Sequence, residues 1–368
     1  MSGMKAFLKL AANPGANGWC ADFVPRRFLN NGHLMTLAGN FLPRHHAPLP
    51  QPEALRVEVQ GPMPGYEEYG PTSIVCHCNW QPERVRSQRL TVVLVHGLEG
   101  SSSSQYMLGN AARAWAAGCN VVRINMRSCG GTDKLSPTIY NSGCWHDVAL
   151  VVERIVSEHH LHAIAVIGYS MGGNLVLSYA GQFGNNPPPF LKAAVGISPL
   201  MDLAASSAAL HEPQNRIYEK YFLRSMIARL HRKAELFPRL YFRLYADRVL
   251  EKIHSMRDFD EYVVAPYGGF TSADDYYYSV ASSNVASALS IPTLIIHSLD
   301  DPFIRMLPET RQALIDNPYV SFIETPYGGH CAFLAPANGY DGYWAEKTLL
   351  GFLLATSESE ANGSRLVG

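Results

Sequence analysis

Ser170 stands in Gly168-Tyr169-Ser170-Met171-Gly172, between the apolar run Ile164-Ala-Val-Ile167 and a stretch that reads as a helix. A serine at such a strand-to-helix turn projects its hydroxyl from the end of a sheet. The flanking glycines let the backbone turn without side-chain clash. The start of the helix favours negative charge developing beside the serine. The chemistry on offer is attack on an acyl carbon, once a base has taken the hydroxyl proton.

The partners that chemistry needs follow in the order acid, then histidine. Asp301 lies in Ser298-Leu-Asp300-Asp301-Pro302, just past the apolar run Ile291–His297. Its place before Pro302 favours it as the acid. Asp300 and Asp202 are the alternatives, each also readable as a turn aspartate capping backbone amides. His330 follows Gly328-Gly329 after the last apolar run. Of fourteen histidines it alone has the right order and the right loop. His159-His160-Leu161-His162 reads as a helix end, where imidazole is favoured, and no metal site is expected. An oxyanion also needs donors. The loop His96-Gly97-Leu98-Glu99-Gly100 ends an apolar run, which nominates the amides of Leu98 and Met171.

The elements that must position these groups alternate along the chain. Strands are predicted at Leu55–Val59, Ser73–Cys78, Leu90–His96, Asn120–Met126, Ala163–Tyr169, Lys192–Ser198, Ile291–His297 and Val320–Glu324. Helices are predicted at Tyr106–Ala117, Trp145–His160, Met171–Phe183, Leu307–Ile315 and Tyr343–Leu354. Runs such as Thr91-Val-Val-Leu-Val95 are apolar without alternation, as in strands buried on both faces. The pattern predicts an α/β protein of the α/β-hydrolase fold: a mostly parallel eight-stranded sheet with helices on both faces, antiparallel at its first edge. Residues 1–50 read as an N-terminal arm. Residues 51–199 and 291–356 read as the core, 200–290 as a helical cap, and 357–368 as a disordered tail.

Apolar residues make up 47% and charged residues 17% of the 368, enough for a sizeable core. A net charge of −1 gives no bias toward nucleic acid. Seven cysteines without a regular framework fit free thiols in a reducing cytoplasm. The Ala6–Ala12 stretch is short and broken by Lys9, unlike a secretory signal, and no apolar run approaches a membrane span. One segment is locally basic. Residues 216–252 hold ten Lys and Arg against four Asp and Glu, interleaved with Phe222, Phe237 and Tyr241. These three aromatics are expected to line a substrate pocket. The cations suggest contact with a membrane surface, against the simpler reading of a solvated cap face.

The sequence resembles the YheT-like, EMB8-type family of α/β-hydrolases (AB hydrolase superfamily, family four). The resemblance rests on Phe23–Thr36, His96–Gly100, Asn125–Gly131, Gly168–Gly173, Asp258–Glu261 with Ala273–Tyr277, Leu299–Phe303 and Gly328–His330. These segments span nearly the whole chain in order. The resemblance implies a triad of Ser170, Asp301 and His330. Two positions depart from the family pattern: Met35 stands for a usual Gln and Ser128 for a usual Gly. The expectation is a cofactor-free serine hydrolase that cleaves small-molecule carboxylic esters, lipid-like ones included, through an acyl-enzyme. Acyl transfer to an alcohol by the same residues and a non-catalytic ligand-binding protein are the alternatives.

Overall fold

The computed structural model describes residues 20–365. Eight strands form one sheet: β1 (Glu53–Gln60), β2 (Thr72–Asn79), β3 (Thr91–Val95), β4 (Asn120–Asn125), β5 (Ile164–Tyr169), β6 (Leu191–Ile197), β7 (Thr293–Ser298) and β8 (Val320–Thr325). Their spatial order is β1-β2-β4-β3-β5-β6-β7-β8. β2 runs antiparallel to both β1 and β4, and every other pairing is parallel. The unalternating runs are the central strands: β3, β4 and β5 are buried at every residue. The edge strand β1 alternates over its second half, burying only Val57 and Val59.

Nine helices of seven residues or more are described: α1 (Gly32–Phe41), α2 (Gln105–Ala116), α3 (Trp145–His159), α4 (Met171–Gly181), α5 (Leu203–Leu210), α6 (Arg216–Leu236), α7 (Ala273–Ser279), α8 (Pro308–Asp316) and α9 (Trp344–Arg365). The pleat sends alternate strand residues to opposite faces. Val93, Val95, Ile164 and Val166 pack with Val148, Val151 and Ile155 of α3 and Leu175 of α4. Val92, Leu94, Ala165 and Ile167 pack with Met107 and Ala111 of α2 and Leu349 and Phe352 of α9. The three-layer core is therefore two apolar slabs on one sheet.

Between β6 and β7 the chain leaves the sheet for an all-helical excursion. It has its own core, including Leu230, Tyr241, Leu244, Phe259, Val263 and Tyr277. α6 ends at Leu236, just before Pro238. Within the N-terminal arm residues 1–19 lie outside the described residues, and from Gly32 the arm forms α1. Asn31 caps it, its side-chain oxygen accepting from Leu34 N–H at 3.1 Å. The tail read as disordered from residue 357 begins inside α9, which runs to Arg365; residues 366–368 lie outside the described residues. All seven cysteines are unpaired.

Candidate active site

β5 delivers the chain to Ser170 and α4 takes it away, leaving one residue to reverse direction. Ser170 does so at φ 53°, ψ −119°, a conformation that a side chain rarely adopts. The turn is held from beneath. Ser170 N–H donates to Ile197 O at 2.9 Å, and Ser170 O accepts from Leu200 N–H at 3.1 Å. The helix can start this close only because residue 172 is glycine: a Cβ there would lie 2.4 Å from the Val95 carbonyl oxygen. Strain at a residue so tightly over-determined is characteristic of functional positions.

His330 and Asp301 come from the loops after β8 and β7. His330 Nδ1 donates to Asp301 Oδ2 at 2.9 Å. Asp301 is fully buried, and its Oδ1 accepts from Ile304 N–H at 2.9 Å and Phe303 N–H at 3.2 Å. Burial would raise its pKa; the charge and hydrogen bond of His330 more than offset this and hold the carboxyl below its usual range. For His330 burial acts downward, while the neighbouring Cys331 sulfur and the Asp301 carboxylate hold the imidazolium well above its ordinary range. The Phe303 ring lies against the imidazole with centroids 4.5 Å apart. His330 lines the same cleft as Ser170, and its Nε2 is the ring nitrogen left free of Asp301. That nitrogen meets Cys331 Sγ at 3.6 Å, and no hydrogen bond joins it to Ser170 among the described residues. Catalytic hydrogen bonds are often loose without substrate.

The two alternative acids have other work. Asp300 Oδ1 accepts from Gly329 N–H at 2.9 Å, fixing the histidine loop. Asp202 accepts from Leu307 N–H and Thr310 Oγ1, tying the start of α8 to the loop after β6. Thr36 of α1 was not singled out by the sequence, yet its hydroxyl accepts from His330 N–H at 2.8 Å. Gly329 sits at φ 56°, and a Cβ there would lie 2.7 Å from the Gly32 carbonyl oxygen. The arm thus packs on the histidine loop. Met35, where the family has Gln, fills this contact by packing against Ala332 and Leu334.

The amides of Leu98 and Met171 flank the serine, and neither donates a hydrogen bond to another group among the described residues. The loop that carries Leu98 is braced throughout. His96 is buried, with Nδ1 donating to Gly97 O at 2.8 Å and Nε2 accepting from Met126 N–H at 3.1 Å. Burial lowers its pKa to about 4, so it is neutral there. Gly97 N–H donates to Tyr106 Oη and Glu99 N–H to Tyr140 Oη, each at 2.9 Å. The Glu99 carboxylate, 7% exposed, accepts from Tyr140 Oη, from Ser225 Oγ, and from Arg229 Nε and Nη2 at 3.1 Å. Arg229 also donates to Ser128 O. Ser128 has φ 64°, which explains why a glycine suits this position. Ser225 and Arg229 belong to α6, so the excursion grips the loop from above. No sequence pattern marked this link.

Two cavities meet at the serine. A cleft of about 490 Å³ runs between α1, the Gly97–Gly100 loop and the start of α6, reaching Ser170 and His330. A narrower apolar pocket of about 100 Å³ lies under the excursion, lined by residues such as Leu200, Leu203, Met226 and Val264. Leu98, Ser170, Phe222 and Phe303 border both. Of the three aromatics expected to line a pocket, only Phe222 does so. Phe237 packs edge-on against Tyr69. Tyr241 is 1% exposed, stacks on Tyr267 and donates to Pro137 O at 2.8 Å. Both belong to the core of the excursion, because their helical turn faces inward. Two of the ten cations are likewise buried: Arg229 against Glu99, and Lys233 against the carbonyls of Asp133 and Ser136.

A family model described as alpha/beta hydrolase fold matches residues 91–336. YheT of Escherichia coli (strain K12), whose name provisionally makes it an esterase, is 27% identical over 344 residues, 93% of this chain and 95% of its own. Phospholipase ABHD3 of Bos taurus is 29% identical over 263 residues, 71% of this chain and 61% of its own length. The Pyrococcus furiosus esterase Pf2001 superposes with a TM-score of 0.50 at 17% identity, over 85% of this chain and 98% of that one, a likeness of fold.

Proposed function

The chain belongs to the α/β-hydrolase fold family, on its YheT-like branch, and from this we propose that it is a serine hydrolase of carboxylic esters working through an acyl-enzyme. The observation that carries the reading is the convergence, where the two cavities meet, of a strained Ser170, a His330 paired to buried Asp301, and two undonated amides. Neutral His330 takes the proton from Ser170 as its oxygen attacks the ester carbonyl. The amides of Leu98 and Met171 receive the oxyanion. Asp301 keeps the Nδ1 proton in place and stabilises the imidazolium, which then protonates the departing alcohol. Water repeats the sequence on the acyl-enzyme. The small apolar pocket takes a short- to medium-chain acyl group, and the larger cleft takes the alcohol. The relatives named esterase and phospholipase support this substrate class. Seven unpaired cysteines support a reducing compartment, the cytoplasm.

The test is covalent. A fluorophosphonate should label the native chain at Ser170, and Ser170→Ala should lose both labelling and ester hydrolysis, with kcat falling by about 10⁶-fold. Labelling elsewhere, or substantial hydrolysis by the folded Ser170→Ala protein, would sink the assignment.

A further inference from the structure

The mouth of the cleft has an inverted surface. α1 places Leu34, Leu37 and Phe41 along one face, 53%, 40% and 69% exposed, and buries Met35 on the other. A surface helix ordinarily turns such a stripe inward. Across the mouth, the first turns of α6 expose Ile217 at 77% and Tyr221 at 62%. The two helices are joined by His33 and Tyr218, whose rings stack 5.7 Å apart while Nδ1 and Oη lie within 3.2 Å. Leu37, Phe41, Ile217 and Tyr221 all line the cleft that leads to Ser170. Exposed apolar residues are ordinary when scattered; a set drawn from two elements around one opening marks an interaction site.

The charges on the same lip are of one sign. Arg216, Lys220 and Arg224 are exposed and form no ion pair among the described residues. Residues 32–41 carry no Asp or Glu, and the only carboxylate in 216–224 is Glu219. Glu219 is buried and occupied by His211 and the Met256 amide. Arg224 shares a helix face with Ile217 and Tyr221, at spacings of seven and three.

We propose that this lip docks on an anionic lipid surface. The apolar side chains enter the headgroup–acyl boundary while the cations sit over the headgroups. The cleft then opens directly onto the lipid, so that an ester embedded there reaches Ser170 without crossing water. What the docked cleft does rests on the hydrolase reading; the docking itself does not.

Docking is therefore measured on the Ser170→Ala chain, by cosedimentation with phosphatidylcholine vesicles containing or lacking phosphatidylglycerol. Binding should require phosphatidylglycerol and weaken in high salt. Lys220→Glu with Arg224→Glu should lower the partition coefficient about twentyfold or more. With Ser170 restored, that pair should leave hydrolysis of a water-soluble acetate ester unchanged. Phe41→Ser with Ile217→Ser should also lower partitioning. No binding at low salt, or binding indifferent to both pairs, would overturn the proposal. So would a stable dimer that the Phe41→Ser and Ile217→Ser pair dissociates, or binding that appears only once residues 1–19 are removed, since another occupant would then own the lip. Hydrolysis persisting in the Ser170→Ala chain would remove the Ser170 assignment alone and leave the docking proposal standing.

Discussion

Adjacent carboxylates in the loop after β7 have unequal tasks, and mutation should expose the difference. Asp301 meets His330 Nδ1 at 2.9 Å, whereas Asp300 meets the Gly329 amide. Asp301→Asn should lower kcat by about 10⁴-fold, because the imidazole loses both its orientation and its counter-charge. Asparagine at 300 can still accept from Gly329 N–H, so Asp300→Asn should cost less than about tenfold. Equal losses would reassign the acid. The pH profile follows from the same pair. Only neutral His330 is a base, so kcat/KM should rise with pH through its ionisation. The folded imidazole is held above the ordinary value of about 6.5, which places the rise at higher pH than that. Removing the carboxylate in Asp301→Asn takes away one of the groups that hold the imidazolium up against burial, so the rise should move to lower pH. A rise centred below 6.5 in the native chain would contradict the ion pair. At this scale the serine and histidine were legible, because glycines and an apolar run surround each. Thr36 was not: it meets His330 across 294 residues and leaves no local pattern.

The link between α6 and the Leu98 loop makes the excursion part of the proposed oxyanion site. Glu99 and Arg229 are both nearly buried, so removing either strands the other's charge. Glu99→Gln and Arg229→Met should each destabilise the fold by about 3–5 kcal/mol in urea titrations, and the double variant by less than the sum. Both should also lower kcat more than they raise KM, since a displaced Leu98 amide acts only on the transition state. Purely additive losses would show that the two residues do not act as a pair. The aromatic positions separate in a similar way. Phe222→Ala should change acyl-chain preference, because its ring borders both cavities. Phe237→Ala and Tyr241→Ala should instead cost about 3–5 kcal/mol of stability and leave preference unchanged. A changed preference in either would return it to the pocket. Sequence could not make this distinction. Aromatic residues at helical spacing show that a face is buried, but what buries it is decided by partners such as Pro137 and Tyr69, far away in the chain. The reading of residues 1–50 as an arm missed α1, although Asn31 before an apolar stretch offers a helix cap there.

Across the whole molecule, the strands were readable to within two residues because central parallel strands must be apolar on both faces, and few other segments are. Their spatial order was not readable, as each parallel crossover pairs runs of similar composition. The site sits where this order requires it, at the carboxyl ends of β3, β5 and β7. Folding also leaves a signature on global stability. Burial pushes the Asp260 carboxyl, which accepts from Tyr277 Oη at 2.6 Å, up to about 7. Between about pH 4 and 7 the folded state then holds a proton that the unfolded chain has released. Stability should therefore fall as pH rises through that window, and Asp260→Asn should remove that part of the slope. Parallel pH–stability curves for the two proteins would refute the shift.

The bond from Thr36 to the His330 amide has a consequence in time. A ribosome makes α1 well before the histidine loop, so the two halves of this contact emerge almost a whole domain apart. Until the final strand has paired, α1 has no loop to rest on and Met35 has no Ala332 or Leu334 to cover it. On the proposed triad, a nascent chain halted before residue 330 has the serine elbow and most of the sheet yet is inert. Competence thus waits for the histidine loop, however much of the sheet has already formed.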